Sequence, residues 1–272
     1  MEDPKEYLSL IEAMLRSSGK IAMERFGEVF TYKTKQDPRQ VVTEVDLASE
    51  KQIIDAIRTS YPTHTIIAEE SGFSDKNSPY TWIIDPIDGT SNYSRGLPWF
   101  GVMIALLKDS LPLAAGIFLP VTNELYIAGR GTGLLKNGKP VRIPDEALLQ
   151  RSLVSYCITS SDDQALNAFE ARIVERLAAK VLSVRTTNSA LDYVYAAEGK
   201  LAATINLENK IWDIAPVILL AKEAGCIVTD SDGGELALRV TKETYVKNFS
   251  LVIAHPQVHK ALIELIAANK AP

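Results

Sequence analysis

The sequence predicts a mixed fold, α+β in its first half and α/β in its second. Three observations predict it. Residues 5–26 carry apolar side chains at helical spacing. Between Val102 and Arg142, five short apolar runs are separated by tight turns, which reads as a meander of antiparallel strands. Beyond residue 145, strand-like and helix-like segments alternate, the pattern of α/β packing. Two units are therefore expected, an α+β unit over residues 1–145 and an α/β unit over 146–272.

The elements follow in order. Leu8, Ile11, Leu15, Ala22 and Phe26 give the opening helix one core face. Residues 29–33 read as a short strand, and the polar run Gln36-Asp37-Pro38-Arg39-Gln40 as a loop. A second helix is expected over 47–60, with Leu47, Ile54 and Ile57 buried and Asp46 as its N-cap. His64–Ala68 reads as a strand ending in Glu69-Glu70-Ser71-Gly72, and residues 73–79 as a polar, mobile loop. Strands are expected over 102–107, 111–118, 124–128, 133–136 and 140–142, with Asn137-Gly138 a strong hairpin turn. Gly129-Arg130-Gly131-Thr132-Gly133 looks like a phosphate loop, but no Lys-Ser/Thr and no helix follow, so it reads as a hairpin turn. Strand 152–158, helix 163–179, strand 181–185, helix 189–198 and strand 201–206 then alternate. A helix over 213–224 starts with Asp213 as its N-cap and Pro216 in its first turn. Asp230-Ser231-Asp232-Gly233-Gly234 lacks the acid that completes a calcium loop and reads as a surface turn. His255 and His259 are spaced like zinc ligands, but Pro256 keeps His255 out of the helix 257–269, so they should not share a face.

One stretch concentrates the chemistry: Trp82-Ile83-Ile84-Asp85-Pro86-Ile87-Asp88-Gly89-Thr90. Three apolar residues read as a buried strand that ends in a carboxylate. Pro86 has no N–H and a fixed φ, so the strand should not continue normally. Asp88-Gly89 turns the chain and Thr90 can start a helix. Two carboxylates on a rigid bend call for a hard cation, and amides at a helix start call for phosphate. Taken alone, the bend is equally a strand, an Asp-Gly turn and an N-cap. Further acids shift the balance: Glu69 after a neighbouring strand, and Asp46 and Asp213 at helix starts.

Bulk composition bounds the partners. The chain has 272 residues, 46% hydrophobic, and a net charge of −5. That length can bury a large core. No basic run stands out, so nucleic acid is not an expected partner. An acidic protein that takes an anionic substrate needs local positive charge, which metal ions can supply. Cys157 and Cys226 are far apart and outside any metal-binding spacing, which suits buried thiols in a reducing compartment. The N-terminal stretch is polar, so no signal peptide is expected, and no apolar run reaches transmembrane length. The expected setting is cytoplasmic, with no membrane partner.

Together these motifs resemble the inositol monophosphatase family, within the magnesium-dependent, lithium-sensitive sugar phosphatases. The carrying residues are the stretch from Trp82 through Tyr93, and Trp212-Asp213-Ile214-Ala215. Val42-Thr43-Glu44-Val45-Asp46 and Ala68-Glu69-Glu70-Ser71 match in order and spacing. The resemblance covers nearly the whole chain. It implies a layered αβαβα sandwich, usually a homodimer, and Mg²⁺ as cofactor, two or three ions per site. It implies that Glu69, Asp85 and the Ile87 carbonyl hold one ion, and that Asp85, Asp88 and Asp213 hold another. Thr90 with Asp46 would orient and deprotonate the attacking water, with Glu69 also in the catalytic group. Gly89 and Thr90 amides would hold the phosphate, and Ser189, Asn206 and Asp213 would face the rest of a small phosphorylated polyol or sugar. Lys35 and Glu70 are expected nearby as ancillary groups.

The pattern departs from the family in the second half. Where many relatives carry Glu seven residues before the Trp-Asp aspartate, this chain has Asn206, with Glu208 two residues on. Thr187-Asn188-Ser189-Ala190 replaces the usual Gly-Ser-Ala-Ala, and Ala215-Pro216 the usual Ala-Ala or Ala-Gly. These changes leave the metal ligands intact and fall on the side that recognises the alcohol. The expected activity is hydrolysis of inositol-1-phosphate. Histidinol phosphate, fructose 1,6-bisphosphate and a 3′-phosphonucleotide are alternative substrates, and a catalytically silent metal-binding regulator is an alternative of another class.

Overall fold

The computed structural model describes residues 3–28, 33–34, 41–158 and 161–269. Five layers stack in the order helix, sheet, helix, sheet, helix. The first layer pairs α1 (Lys5–Arg25) with α2 (Glu44–Ser60). A small ladder of β1 (Lys33–Thr34) and β2 (Val41–Val42) precedes α2.

The first sheet comprises β3 (Thr65–Ala68), β4 (Gly72–Ser74), β5 (Tyr80–Asp88), β6 (Gly101–Lys108), β7 (Leu111–Leu119), β8 (Glu124–Gly129), β9 (Leu134–Lys136) and β10 (Lys139–Val141). Their spatial order is β10-β9-β8-β7-β6-β5-β3-β4. Only β3 and β5 run parallel, so both end at the same edge. Side chains alternate across this sheet as strand geometry requires. Trp82, Ile84, Ile104 and Leu106 pack with Ile11, Leu15, Ile53 and Ile57 of the first helical layer. Ile83, Met103, Ala105 and Leu107 face the opposite way, toward the central layer.

The central layer holds α5 (Ala190–Ala197) and α6 (Ile211–Ala224). Below it lies the second sheet: β11 (Leu153–Cys157), β12 (Ser183–Arg185), β13 (Ala203–Asn209), β14 (Ile227–Thr229) and β15 (Phe249–Ala254), in the order β12-β11-β13-β15-β14. α6 is sandwiched between the two sheets, which explains why it is apolar on all sides. The last layer is α4 (Gln164–Ala178) with α8 (Pro256–Ala267), which cover Val154, Tyr156, Ile205 and Val252. Two short helices, α3 (Thr90–Tyr93) and α7 (Lys242–Val246), lie outside the layers.

Several expectations need correction. The N-cap of α2 is Thr43, and Asp46 sits at the third helical position, where its carboxylate reaches back to the Thr43 amide. Asp213 is likewise third in α6, reaching back to the amide of Lys210 at 2.6 Å. Asp46 completes a capping box with Thr43, whereas Asp213 supplies only the reach-back half, since the Lys210 ammonium cannot accept; in both, the one-turn displacement from the cap position points the carboxylate inward. Because α6 starts at Ile211, Pro216 lies beyond its first turn and leaves the Trp212 carbonyl without its usual helical partner. β5 does not stop at Asp85. Asp85 pairs with Met103 and Asp88 with Gly101, so Pro86 and Ile87 together oppose Val102 alone and form a bulge. Residues 73 and 74, expected at the start of a polar loop, form β4 with Gly72 against β3.

Other expectations hold. Asn137 and Gly138 both take positive φ in the β9–β10 turn. The Gly129–Gly133 turn is filled by the protein itself, for Gly131 and Gly133 donate to the carboxylate of Glu223 at 2.7 Å each. His255 caps α8 and bonds the Pro144 carbonyl at 2.9 Å, while His259 bonds Thr229 at 2.8 Å. The histidines thus share no site.

Candidate active site

The site forms where β3 and β5 end together. Ala68 pairs with Ile84, and the Glu69 amide extends the ladder to the Ile84 carbonyl at 3.2 Å. Parallel pairing therefore brings Glu69 beside the β5 bulge that carries Asp85 and Asp88.

Helix α2 braces three chain segments at this edge. Asp46, Ser49 and Glu50 are buried, and Ser49 and Glu50 lie three and four residues after Asp46, so both flank it one turn on along the buried side of the helix. Asp46 Oδ1 accepts from the Thr90 hydroxyl at 3.0 Å. Ser49 Oγ donates to the Pro86 carbonyl at 3.1 Å, inside the bulge. The Glu50 carboxylate accepts from the Glu70 and Ser71 amides, each at 2.8 Å, and so holds the turn that presents Glu69. Ser49 and Glu50 escaped the sequence reading. Their signal was a polar pair on the face that Ile53 and Ile57 assign to the core.

Asp85, Asp88 and Asp213 converge. One carboxylate oxygen from each lies within 4.8 Å of the others. Asp85 is buried, and Asp88 and Asp213 are half-buried. Burial pushes the Asp88 pKa well above the ordinary carboxylate range, and the charges of Asp213, Glu69 and Asp192 push the same way. The Ala190 amide donates to Asp88 and opposes the rise. An all-oxygen, carboxylate-rich set with crowded like charges suits a hard divalent cation such as Mg²⁺. Glu69 lies outside the three-carboxylate group but close enough for its charge to act on Asp88.

Gly89 follows in the left-handed region at φ +86°. A Cβ there would stand 2.7 Å from the Trp99 carbonyl oxygen and 3.1 Å from Ser189 Cβ, so both conformation and space demand glycine. This turn aims the Thr90 hydroxyl at two acceptors, Asp46 Oδ1 and the Ile87 carbonyl oxygen at 2.9 Å. A hydroxyl has one proton, so the charge on Asp46 decides which acceptor receives it. Burial raises the Asp46 pKa to about 6, against the opposing hydrogen bonds from Thr43 and Thr90. The charge of Glu70 adds slightly to the rise. A buried acid poised near neutrality beside a hydroxyl can accept a proton relayed through it.

The opposite wall comes from the second half of the chain. A cleft of about 120 Å³ is lined by Asp88 and Asp213 on one side and by Cys157, Ser189, Tyr193 and Asn206 on the other. Asn92 ties the two walls, since its amide nitrogen donates to the carbonyls of Trp99 and Thr187 at 2.9 Å each. Asp192 is buried and accepts from the Thr187 amide at 3.1 Å, the Thr187 hydroxyl at 2.8 Å and the Cys157 thiol at 3.4 Å. It shapes the loop that carries Ser189. Glu208 does not line the cleft, because β13 has a register shift between Asn206 and Asn209 that breaks its alternation. Lys35 lies outside the described residues. Among the described residues, no helix is long and apolar enough to cross a membrane.

Comparison with known proteins agrees with this geometry. The model of the inositol monophosphatase family matches residues 3–271. The chain is 32% identical over 231 residues to "Fructose-1,6-bisphosphatase/inositol-1-monophosphatase" of Aquifex aeolicus, covering 84% of this chain and 87% of that protein. It is 34% identical over 238 residues to "Nus factor SuhB" of Vibrio cholerae, covering 87% and 86%. Its structure matches an IMPase of Thermotoga maritima with a TM-score of 0.85 at 28% identity, over 97% of each chain. It matches the extragenic suppressor protein SuhB of Bartonella henselae with a TM-score of 0.87 at 25% identity, over 96% of this chain and 98% of that one. On its sequence, its fold and its cluster of acids, the chain belongs to the inositol monophosphatase family.

Proposed function

We propose that the chain is a Mg²⁺-dependent phosphate monoester hydrolase acting on a small phosphorylated polyol, with inositol-1-phosphate as the foremost substrate. The observation that carries this reading is the convergence of Asp85, Asp88 and Asp213 within 4.8 Å beside the Thr90–Asp46 hydrogen bond. Glu69, Asp85 and the Ile87 carbonyl would hold one ion, and Asp85, Asp88 and Asp213 another. Bound Mg²⁺ supplies neutralising charge for the phosphate oxygens and acidifies water at the site.

The chain's own groups do the rest. The Thr90 oxygen orients the attacking water, and Asp46 Oδ1 takes the proton that Thr90 passes on. When Asp46 is ionised it draws the Thr90 proton, which leaves the Ile87 carbonyl oxygen to a cation. The Gly89 and Thr90 amides cradle the phosphate, and Ser189 and Asn206 contact the alcohol. Glu70, through its backbone, helps present Glu69. From the family resemblance this reading also carries a cytoplasmic homodimer and two units divided near residue 145. A second reading, a metal-binding protein without turnover, is favoured by one observation: relatives carry the name "Nus factor SuhB", which is not the name of an enzyme.

The test is phosphate release with and without Mg²⁺ from inositol-1-phosphate, histidinol phosphate, fructose 1,6-bisphosphate and 3′-phosphoadenosine 5′-phosphate. The expected result is Mg²⁺-dependent release, fastest from inositol-1-phosphate. Fructose 1,6-bisphosphate is the second ester of interest, since the Aquifex relative's name joins the two activities. Tight Mg²⁺ binding without release from any ester would favour the second reading.

A further inference from the structure

We infer that Asn206 turns the alcohol side of the cleft into a hydrogen-bond donor. The site would then select phosphate monoesters of neutral, vicinally hydroxylated alcohols and reject those bearing an ammonium group. This inference rests on the phosphatase reading above.

The direction of the hydrogen bonds that run through Asn206, Tyr193 and Asn209 is set by backbone groups at both ends. Asn209 Nδ2 donates to two carbonyls, Asn206 at 3.0 Å and Phe249 at 2.9 Å. Neither carbonyl can donate, so the Asn209 amide cannot be reversed, and its Oδ1 must accept. It accepts from the Tyr193 hydroxyl at 2.8 Å, which commits the only proton that Tyr193 has. The Tyr193 oxygen must then accept, and it does so from Asn206 Nδ2 at 2.9 Å. At the other end, Asn206 Oδ1 accepts from the Glu208 amide at 3.1 Å. Flipping Asn206 would set nitrogen against that N–H and oxygen against a hydroxyl with no proton left. Two bonds would be lost at a largely buried place.

What Asn206 has left for the cleft is therefore its second N–H. A carboxylate at this position would be an acceptor carrying charge; this residue is a neutral donor. A second polarity is set on the neighbouring loop. Thr187 gives its hydroxyl proton to Asp192 at 2.8 Å, so Ser189 must donate to Thr187 Oγ1 at 3.0 Å. Ser189 Oγ is thereby left as an acceptor. The wall offers one donor, Asn206, and one acceptor, Ser189. Adjacent hydroxyls of a polyol meet both, because each hydroxyl can donate or accept. On this wall an ammonium can serve Ser189 only and finds three protons of its own facing the Asn206 N–H; Asp213, across the cleft, accepts from the Lys210 amide and belongs to the carboxylate group assigned to the cation. Asp192, the other acid on this wall, already accepts three hydrogen bonds.

The experiment compares kcat/KM for inositol-1-phosphate and histidinol phosphate at saturating Mg²⁺, in the wild-type chain, Asn206→Asp and Asn206→Ala. The ratio is taken within each variant, so changes in overall activity cancel. Wild type is expected to favour the polyol ester. In Asn206→Asp the ratio should fall by about tenfold or more, the size of one charge-assisted hydrogen bond gained by the cation and one donor lost by the polyol. In Asn206→Ala, where the donor goes and no acceptor arrives, the ratio should fall between the two. The Ala variant also serves if the Asp variant fails to fold. A ratio unmoved within about twofold in the folded variants, or wild-type preference for histidinol phosphate, would overturn the inference alone. Release from neither ester by the wild type would overturn it together with the phosphatase reading.

Discussion

One wall of the cleft brings the carboxylates of Asp85, Asp88 and Asp213 within 4.8 Å of each other. On the facing wall Asn206 donates a hydrogen bond to Tyr193 and Tyr193 to Asn209, whose own amide donates to backbone carbonyls. The first arrangement is electrostatically costly: burial and neighbouring acids hold Asp88 well above the ordinary carboxylate pKa. The second is internally hydrogen-bonded, with one Asn206 N–H and the Ser189 oxygen left facing the cleft. The contrast teaches that the acid wall holds repulsion that a bound cation would relieve, whereas the amide wall is hydrogen-bonded before any ligand arrives. One wall exchanges stability for affinity, and the other contributes stability directly.

Substitutions can break or sharpen that contrast. The largest effect is expected for Asp88→Asn. Mg²⁺-dependent turnover should fall by more than about a thousandfold, beyond the roughly 10–100-fold that losing a supporting partner costs. In metal-free buffer the same variant should melt higher than wild type, by roughly 2–4 °C for each kcal/mol of repulsion removed. Loss of activity without this gain would mean that the acid wall is not strained.

Next comes Glu50→Gln, which leaves the acid wall's charges alone but weakens the brace under Glu69. An amide cannot accept from both the Glu70 and Ser71 N–H groups as the carboxylate does at 2.8 Å. Metal affinity, read by Mn²⁺ titration, should drop by about 10–100-fold. An unchanged affinity would show that β3 alone positions Glu69.

On the amide wall, Tyr193→Phe removes the middle of the chain and leaves Asn209 Oδ1 without its donor. A stability loss of about 1–3 kcal/mol is expected in chemical denaturation. It should be equal with and without Mg²⁺, because this wall does not answer to the ion. A loss confined to metal-free buffer would tie the two walls together.

The smallest effect concerns pH. Asp46 is raised from 3.8 to about 6 in the folded chain. A raised carboxylate holds its proton more tightly when folded. Its penalty is therefore absent below the unfolded pKa near 4 and fully present above about pH 6. Asp46→Asn should thus stabilise the metal-free chain at pH 8 by about 1–2 kcal/mol, less than the full shift allows, and by nearly nothing at pH 4. A benefit that is equal at both pH values would place the cost of Asp46 in packing rather than charge.

Much of the acid wall was legible in the sequence. The β5 bend, Glu69 and Asp213 are local: a strand, a proline, a glycine and a helix start are written in consecutive residues. The place of Asp46 and Asp213 at the third helical position, rather than at the cap, depended on helix ends shifted by a turn, which local pattern locates poorly. The brace by Ser49 and Glu50 joins residues 20 to 37 positions apart in sequence, and no local pattern announces the partner. The amide wall was harder still. Asn206 stood out as a departure from the family, but whether Glu208, two residues on, shares its face depends on the strand continuing regularly, and the register shift in β13 prevents that.

The sequence by itself determined most of the elements and which acids are present, because side-chain periodicity and turn chemistry act over a few residues, while the order and spacing of its motifs pointed to the family and, through that resemblance, to the layered class of the fold. Only the tertiary structure decided how those acids are held and which way hydrogen bonds run across the facing wall. Those depend on backbone carbonyls and amides from separate strands and helices meeting at one edge, and such meetings are set by packing of the whole core rather than by any one segment.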